Sequence, residues 1–440
     1  MGFLFIMQLK SFFSAGYLWL FLAVLPGVIS AGNGDGKTRQ FPRGTHEVYI
    51  DQAEDVRTDL LKNIAPVIEK SIAQGQYPGA VILIGHQGRI LYRGVFGSRR
   101  ILPDPAPMRF DTIFDLASLT KVVATAPAVM QLVEQGKLDI DAPVAKYWPE
   151  FAKKGKGSVT IRELLTHTSG LPPEISHLSG HASERETLAQ VTTLSLQHAP
   201  GKSFVYSDVN FIVLAYLVEV ISGQRFDVYV QENIFKPLGM QHTRYLPPEN
   251  LRDQIAPTEV VDKKLRWGQV HDPAAYALGG VAGNAGVFSD AHDLGIYAQA
   301  LLNGGKLPRE YHFGSKRIKY FLGPLAVFKM TTRQTPETLL DSRGLGWDID
   351  SRYSNRGVLF PVNSYGHTGW TGTSIWIDPV TQTWMVMLTS RAHPVPAKTN
   401  QLVSDRRTIA NILSASFVNI TQIGLNNTGK GELSRAYKNV

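Results

Sequence analysis

The chain predicts an α+β fold: an antiparallel sheet built from both ends of the sequence, flanked by helices, with a mostly helical lobe inserted between its halves. Three observations predict it. Strand-like runs broken by turn residues gather at 80–97 and again at 364–388. The block between them is apolar at helical spacing and carries helix start and stop signals. No internal repeat is visible, so a repeat architecture is not expected.

Taken in order, Lys10 gives a positive flank, Ser11 to Leu25 is mostly apolar, Pro26-Gly27 breaks the run, and Ser30-Ala31-Gly32 offers small residues for cleavage. A start at Met7 would shorten the charged flank. Residues 1–31 therefore read as an export signal, and the same apolar run is nearly long enough to remain as a membrane anchor. Either way the rest of the chain is expected outside the cytoplasm, periplasmic or secreted, and inner-membrane anchored if the segment is not cleaved. Residues 32–52 read as a polar linker, 53–417 as the folded catalytic region with a helical lobe over about 119–275, and 418–440 as a polar tail.

Within the folded region, Leu60, Leu61, Ile64, Val67, Ile68 and Ile72 space an amphipathic helix over Asp55 to Gln74. Ala80 to Ile84 and Ile90 to Tyr92 flank a Gln87-Gly88 turn and predict a hairpin. Leu119 to Glu134 predicts a buried helix bent at Pro127 and stopped by Gly136. Thr160 with Glu163 has capping-box spacing ahead of another helix. Asp208 to Ser222 and Phe226 to Ile234 continue the helical block. Ser364 to Gly366, Ser374 to Ile377 and Trp384 to Leu388 predict the later strands, and Thr408 to Phe417 a last helix.

Composition bounds the rest. With 440 residues, 43% of them hydrophobic, the chain can bury a large core, either as one two-lobed globule or as two domains. Charged residues, 19% of the chain, are spread throughout, which argues against wholesale disorder. The net charge is +8 and the isoelectric point about 9.4. No long Lys/Arg run with interleaved aromatics is present, so nucleic acid is not an expected partner. A mild basic excess suits an anionic polymer or membrane surface, and equally a role in solubility alone. The absence of cysteine excludes disulfides, thiolate metal sites, a cysteine nucleophile and lipid attachment through an N-terminal cysteine.

The chemistry centres on Ser118-Leu119-Thr120-Lys121. A serine hydroxyl is a poor nucleophile unless a base takes its proton, and a lysine one turn later shares its helix face. Lys121 serves as base only if burial lowers its pKa, and its neighbours Leu116, Val122 and Val123 are apolar. Ser118 opening a helix also presents its own amide to an oxyanion. Tyr206, just before a helix, can approach from the opposite lobe and shuttle protons. His367-Thr368-Gly369 lies beside predicted strands, where Gly369 would let substrate approach the backbone and a strand edge would hold an extended acyl group. Taken singly, each residue has a plainer reading: Ser118 a cap, Tyr206 a core aromatic, His367 a turn residue. His167, His271 and Asp272 form no recognised metal cage and read as structural, and Asp290-Ala291-His292-Asp293 reads as a helix start. No cofactor or metal is expected.

Order and spacing together resemble one family. Phe114 to Lys121, Glu163-Leu164-Leu165-Thr166-His167-Thr168-Ser169-Gly170-Leu171-Pro172, Pro200-Gly201 before Tyr206-Ser207-Asp208, Pro237-Leu238-Gly239-Met240, Gly279 to Ser289 and His367-Thr368-Gly369-Trp370-Thr371-Gly372-Thr373 resemble the serine β-lactamase and penicillin-binding protein superfamily, on its class C side. Tyr206-Ser207-Asp208 and Trp267 to Asp272 look most like the penicillin-binding protein 4B group. The resemblance implies a β-lactamase/transpeptidase-like fold with Ser118 acylated, and Lys121 and Tyr206 sharing acid and base work. It also implies an oxyanion hole from the amides of Ser118 and Trp370. Asp208 would face the substrate amide, His367 and Thr368 would meet a substrate carboxylate, and Arg391 and His393 are weaker candidates for an anionic end group. The implied substrates are peptidoglycan stem peptides ending in D-Ala-D-Ala, with β-lactams as ligands. A class C-type β-lactamase, a small-ester esterase and a penicillin-recognising sensor without turnover are the rivals.

Two departures carry weight. Many relatives have Asn where Asp208 stands. A carboxylate beside Lys121 raises the lysine pKa, against the base role. Many have Lys where His367 stands, and a largely neutral imidazole pulls less on a carboxylate as pH rises.

Overall fold

The computed structural model describes residues 41, 44–175, 183–313 and 316–418. The expected signal or anchor over 1–31, and the tail beyond Val418, lie outside them.

Nine strands form one antiparallel sheet. They are β1 (Thr45–Ile50), β2 (Gly79–His86), β3 (Arg89–Arg100), β4 (Ala106–Pro107), β5 (Ser342–Arg343), β6 (Asp348–Asp350), β7 (Tyr365–Thr368), β8 (Ser374–Asp378) and β9 (Thr383–Thr389). Their order is β1-β3-β2-β9-β8-β7-β6-β5, with β4 off β3. The two halves of the chain meet where β2 pairs with β9, from Ala80↔Thr389 to His86↔Thr383. Gln87 and Gly88, at φ 50° and 78°, make the tight turn that the right-handed strand twist favours.

β2 is buried along its whole length because helices cover both faces. Side chains alternate across a strand. Ala80, Ile82 and Ile84 pack with Ile64 and Ile68 of α1 (Ile64–Ala73) and Ile409 and Leu413 of the last long helix, Gln401–Ser416. Val81 and Leu83 face the other way, into the larger core shared with the helical lobe. That lobe includes α2 (Ala126–Glu134), α3 (Ile161–Leu165) and α4 (Asp208–Ser222), whereas α5 (Ala291–Leu302) lies on the sheet against β2 and β9, and α6 is the last helix, Gln401–Ser416. α4 is apolar almost all round and buried, as a helix in a domain core must be.

Several expectations need correcting. Thr45–Ile50 is not linker: it pairs with β3 from Thr45↔Gly97 to Ile50↔Tyr92, an exposed edge strand whose backbone bonds replace a hydrophobic pattern. The helix expected over 55–74 breaks into Thr58–Leu61 and α1. The one expected over 119–134 is a 3₁₀ turn (Ala117–Leu119), a π-helical turn (Lys121–Thr125) and α2. Pro127 explains the last case: lacking an N–H, it cannot donate to Val123, and the Ala126 amide bonds Lys121 instead. The last helix starts seven residues before Thr408. A hairpin of Lys306–Phe313 with Lys316–Tyr320 was not expected at all.

Candidate active site

The Ser118 turn is fixed from its own backbone upward. Phe114–Asp115 pairs with Phe288–Ser289, drawing the glycine-rich 279–289 segment alongside. The buried Asp115 carboxylate accepts the amides of Ala117 at 2.8 Å and His271 at 2.6 Å. Burial pushes its pKa up to about 6. Ala117 sits at φ 46°, the left-handed region, which costs a non-glycine residue roughly 1 kcal/mol. The residue before the nucleophile candidate is thus held in a conformation it would not choose.

From that turn the half-buried Ser118 presents its hydroxyl to the cleft, and Lys121 lies beneath it, fully buried. Lys121 Nζ is 3.0 Å from Ser118 Oγ and donates to the Asn284 carbonyl at 2.9 Å. It is 2.6 Å from Asp208 Oδ1 and 5.1 Å from the centre of the Tyr206 ring. Burial pulls the Lys121 pKa down, but the Asp208 carboxylate and the Tyr206 hydroxyl outweigh it, and the net direction is up. Burial raises Asp208 in turn, with Lys121 opposing. The lowered pKa that a lone lysine base requires is therefore absent, for the reason the Asp208 departure implied, and Asp208, expected to face substrate, is committed to Lys121.

Tyr206 is shelved on histidine. His167, itself at φ 59°, stacks on its ring at 4.4 Å, and its Nδ1 accepts the Ser207 amide at 3.0 Å. His367 lies at 6.0 Å from the same ring. Burial, with Arg343 and Lys121 nearby, holds both histidines well below the ordinary value, so both are neutral. His367 Nδ1 donates to the Thr368 carbonyl at 2.9 Å, which leaves Nε2 a buried acceptor with no partner among the described residues. This corrects the expectation that His367 meets a substrate carboxylate: an inward lone pair offers an anion nothing.

β7 and the turn after it close on the Ser118 turn. Thr371 and Thr373 donate to the carbonyls of Asp115 and Leu116 at 2.7 and 2.9 Å. A Cβ on Gly369 would lie 2.3 Å from the Leu116 carbonyl and 2.2 Å from Thr373 Oγ1. Gly369 is thus required by the protein's own packing rather than by substrate. Thr368 is half-buried at the end of β7. The Trp370 ring is 46% exposed, stacks on His271 at 4.5 Å and carries the Arg391 guanidinium at 5.2 Å. Arg391 pairs with no carboxylate among the described residues, and burial pushes its pKa down. His393 is not an anion ligand: its Nε2 accepts the Ile101 and Leu102 amides, its Nδ1 donates to the Thr258 carbonyl, and burial lowers it to about 4.

The other histidines and acids do separate jobs. His271 pairs with Glu259 at 2.8 Å, while Asp272 caps a short helix through the Ala275 amide and takes Asn284 Nδ2. Asp290, which lies near His292 and Asp293, caps α5 through the Asp293 amide at 2.9 Å. Sequence reasoning gave no active-site role to Asp115, His167 or the Asn284 carbonyl. The first two stand inside the motifs that carry the resemblance, and the 279–289 segment reaches Lys121 by its backbone, through the Asn284 carbonyl.

A serine, a buried lysine and a tyrosine are thus gathered between the helical lobe and the end of β7. The β-lactamase family model matches residues 64–407, and the chain belongs to that family. It is 34% identical to a Salmonella agona protein named "Putative D-alanyl-D-alanine carboxypeptidase", covering 74% of this chain and 81% of that one. It is 33% identical to a protein of the same name from Escherichia coli K12, covering 72% and 79%. The fold is also that of a penicillin-binding protein homologue from Caulobacter crescentus, with TM-score 0.66 and 20% identity over 84% of this chain and 100% of that one. The protein is a hydrolase of the β-lactamase and penicillin-binding protein type.

Proposed function

We propose that the protein forms an acyl-enzyme at Ser118 and works outside the cytoplasm as a D-alanyl-D-alanine carboxypeptidase on peptidoglycan stem peptides. The observation that carries the chemistry is the 3.0 Å contact of Lys121 Nζ with Ser118 Oγ, with Asp208 2.6 Å behind the lysine. The names of the two relatives support the substrate.

The Lys121–Asp208 pair changes how the proton moves. A lysine held protonated is no base by itself. As Ser118 Oγ attacks the carbonyl carbon, Lys121 passes one proton to Asp208 and receives the serine proton. The ammonium is thereby restored and the new negative charge rests on the substrate oxygen. The amides of Ser118 and Trp370 are the candidate donors to that oxygen. No carbonyl accepts from Trp370 among the described backbone hydrogen bonds. When the carbonyl re-forms, the departing D-alanine nitrogen takes a proton from the Lys121–Tyr206 side, and Asp208 is ionised again. Water then repeats the attack in reverse.

Intact mass spectrometry of the purified protein with benzylpenicillin, followed over time, tests this reading. A persistent adduct on Ser118, together with release of D-alanine from a D-Ala-D-Ala peptide, is expected. Rapid drug consumption with no adduct would make the protein a β-lactamase. Intact drug and peptide with turnover of p-nitrophenyl esters would make it an esterase.

A further inference from the structure

Between Asn303 and Arg333 the sequence carries seven lysines and arginines against one acid, Glu310. This short stretch supplies +6 of the chain's net +8. It folds as the hairpin Lys306–Phe313/Lys316–Tyr320 followed by the helix Pro324–Thr331. Lys306, Arg309, Arg317 and Lys319 are exposed along the hairpin. Arg317 pairs with Glu310, so the lone acid is already engaged. The helix divides cleanly. Ala326, Val327 and Met330 are buried, while Leu325 is 83% and Phe328 66% exposed, one turn apart and next to the exposed Lys329.

The two pieces are contiguous. A Cβ on Gly304 would lie 3.2 Å from Pro324 and one on Gly305 would lie 3.1 Å from Val327, so the hairpin base runs directly under the helix. A polyanion in water needs the cations and has no use for Leu325 and Phe328. A bilayer of anionic lipid uses both, taking the cations at its headgroups and the two side chains below them. No single described helix is long and apolar enough to cross a bilayer, so the contact would be one of surface. We propose that the hairpin and helix over 306–331 dock the protein on an anionic phospholipid surface, with Leu325 and Phe328 entering the headgroup layer.

The chain's lack of cysteine makes the test local. The full chain carrying Phe328→Cys is labelled with a polarity-sensitive fluorophore and mixed with vesicles of phosphatidylcholine, with or without phosphatidylglycerol. Val358→Cys is the control: it is 83% exposed, and its amide bonds Asn411 on α6, which covers the opposite sheet face from the hairpin's partner α5. A blue shift at 328 that needs phosphatidylglycerol, fades with salt and is absent at 358 is expected. Adding Arg309→Ser and Lys319→Ser should weaken the partitioning about fivefold per charge. Both substituted side chains are exposed, and an unchanged melting curve verifies the fold. A silent label at 328 while the protein floats with the vesicles would overturn the proposal, because binding would then run through another segment. An equal shift on pure phosphatidylcholine would remove the charge recognition. Tight binding of polyphosphate without any vesicle response would mark the patch as a polymer site instead.

Discussion

The reacting end of the cleft and its binding edge are built on opposite terms. At the reacting end the charged groups are matched: buried Lys121 has Ser118, the half-buried Asp208 and the Asn284 carbonyl within 3.0 Å, and buried Asp115 holds two amides. At the binding edge Trp370 is half in solvent and Arg391 has only the indole beneath it. Fixed dipoles in a dry site act on charge that develops during reaction, whereas an open edge with an unpaired cation suits recognition of what diffuses in. Substitutions at the first should therefore strike the chemical step, and those at the second the affinity.

The largest effect belongs to Ser118→Ala, which should abolish the penicillin adduct and peptide release together while leaving the melting temperature within a few degrees of the parent, since Lys121, which donates to the half-buried hydroxyl, keeps the Asn284 carbonyl and Asp208. An adduct retained on this variant would remove Ser118 from the reaction.

Asp208→Asn comes next. In the parent, acylation needs ionised Asp208, so its rate should fall as pH drops through the Asp208 pKa, which burial holds above the ordinary carboxyl value. The amide cannot take the proton, so the variant should lose that acid limb and acylate about 10²-fold more slowly at neutral pH. Acylation rates from pH 4 to 8 decide it. An unchanged profile would return Asp208 to the role of substrate contact.

His167→Ala is a smaller blow to the same end, delivered through Tyr206. The imidazole stacks on that ring and fixes the Ser207 amide, and a misplacement of about 1 Å costs on the order of 10²-fold in rate. His167→Asn, which keeps an acceptor for the amide without the ring, separates the two contacts. The loss should appear in the chemical step with KM little changed. Equal losses in stability and rate, recovered on cooling, would reduce His167 to packing.

How much of this was legible follows from range. Ser118 and Lys121 are three residues apart, and local spacing alone pairs them. The β2–β3 turn and the Thr160–Glu163 capping box are equally local, and both are present. What failed is long-range or negative. The partner of Lys121 lies 87 positions away: the resemblance flagged what a carboxylate beside the lysine would do, but nothing in the local pattern says that Asp208 turns toward lysine rather than substrate. Gly369 looked like room for a ligand and is room for Leu116, a distinction that only the folded backbone makes. β1 lacked a buried face, so periodicity had nothing to report. The site residues Tyr206 and His367 were found by motif, but their neutral histidine surroundings depend on burial that no motif encodes.

Arg391→Gln probes the other side of the comparison and should be the mildest. If the guanidinium meets the free carboxylate of a stem peptide, its loss removes a charge-assisted hydrogen bond of about 1.5–3 kcal/mol, or roughly tenfold or more in KM. The acylation rate at saturation should hold, because the Arg391 guanidinium lies on the Trp370 indole and the backbone bond from Arg391 to Thr371 survives the substitution. A peptide amidated at its C-terminus should not distinguish parent from variant, since it offers no carboxylate to lose. A fall in the saturated rate with unchanged KM would place Arg391 with the reacting end and erase the division between the two.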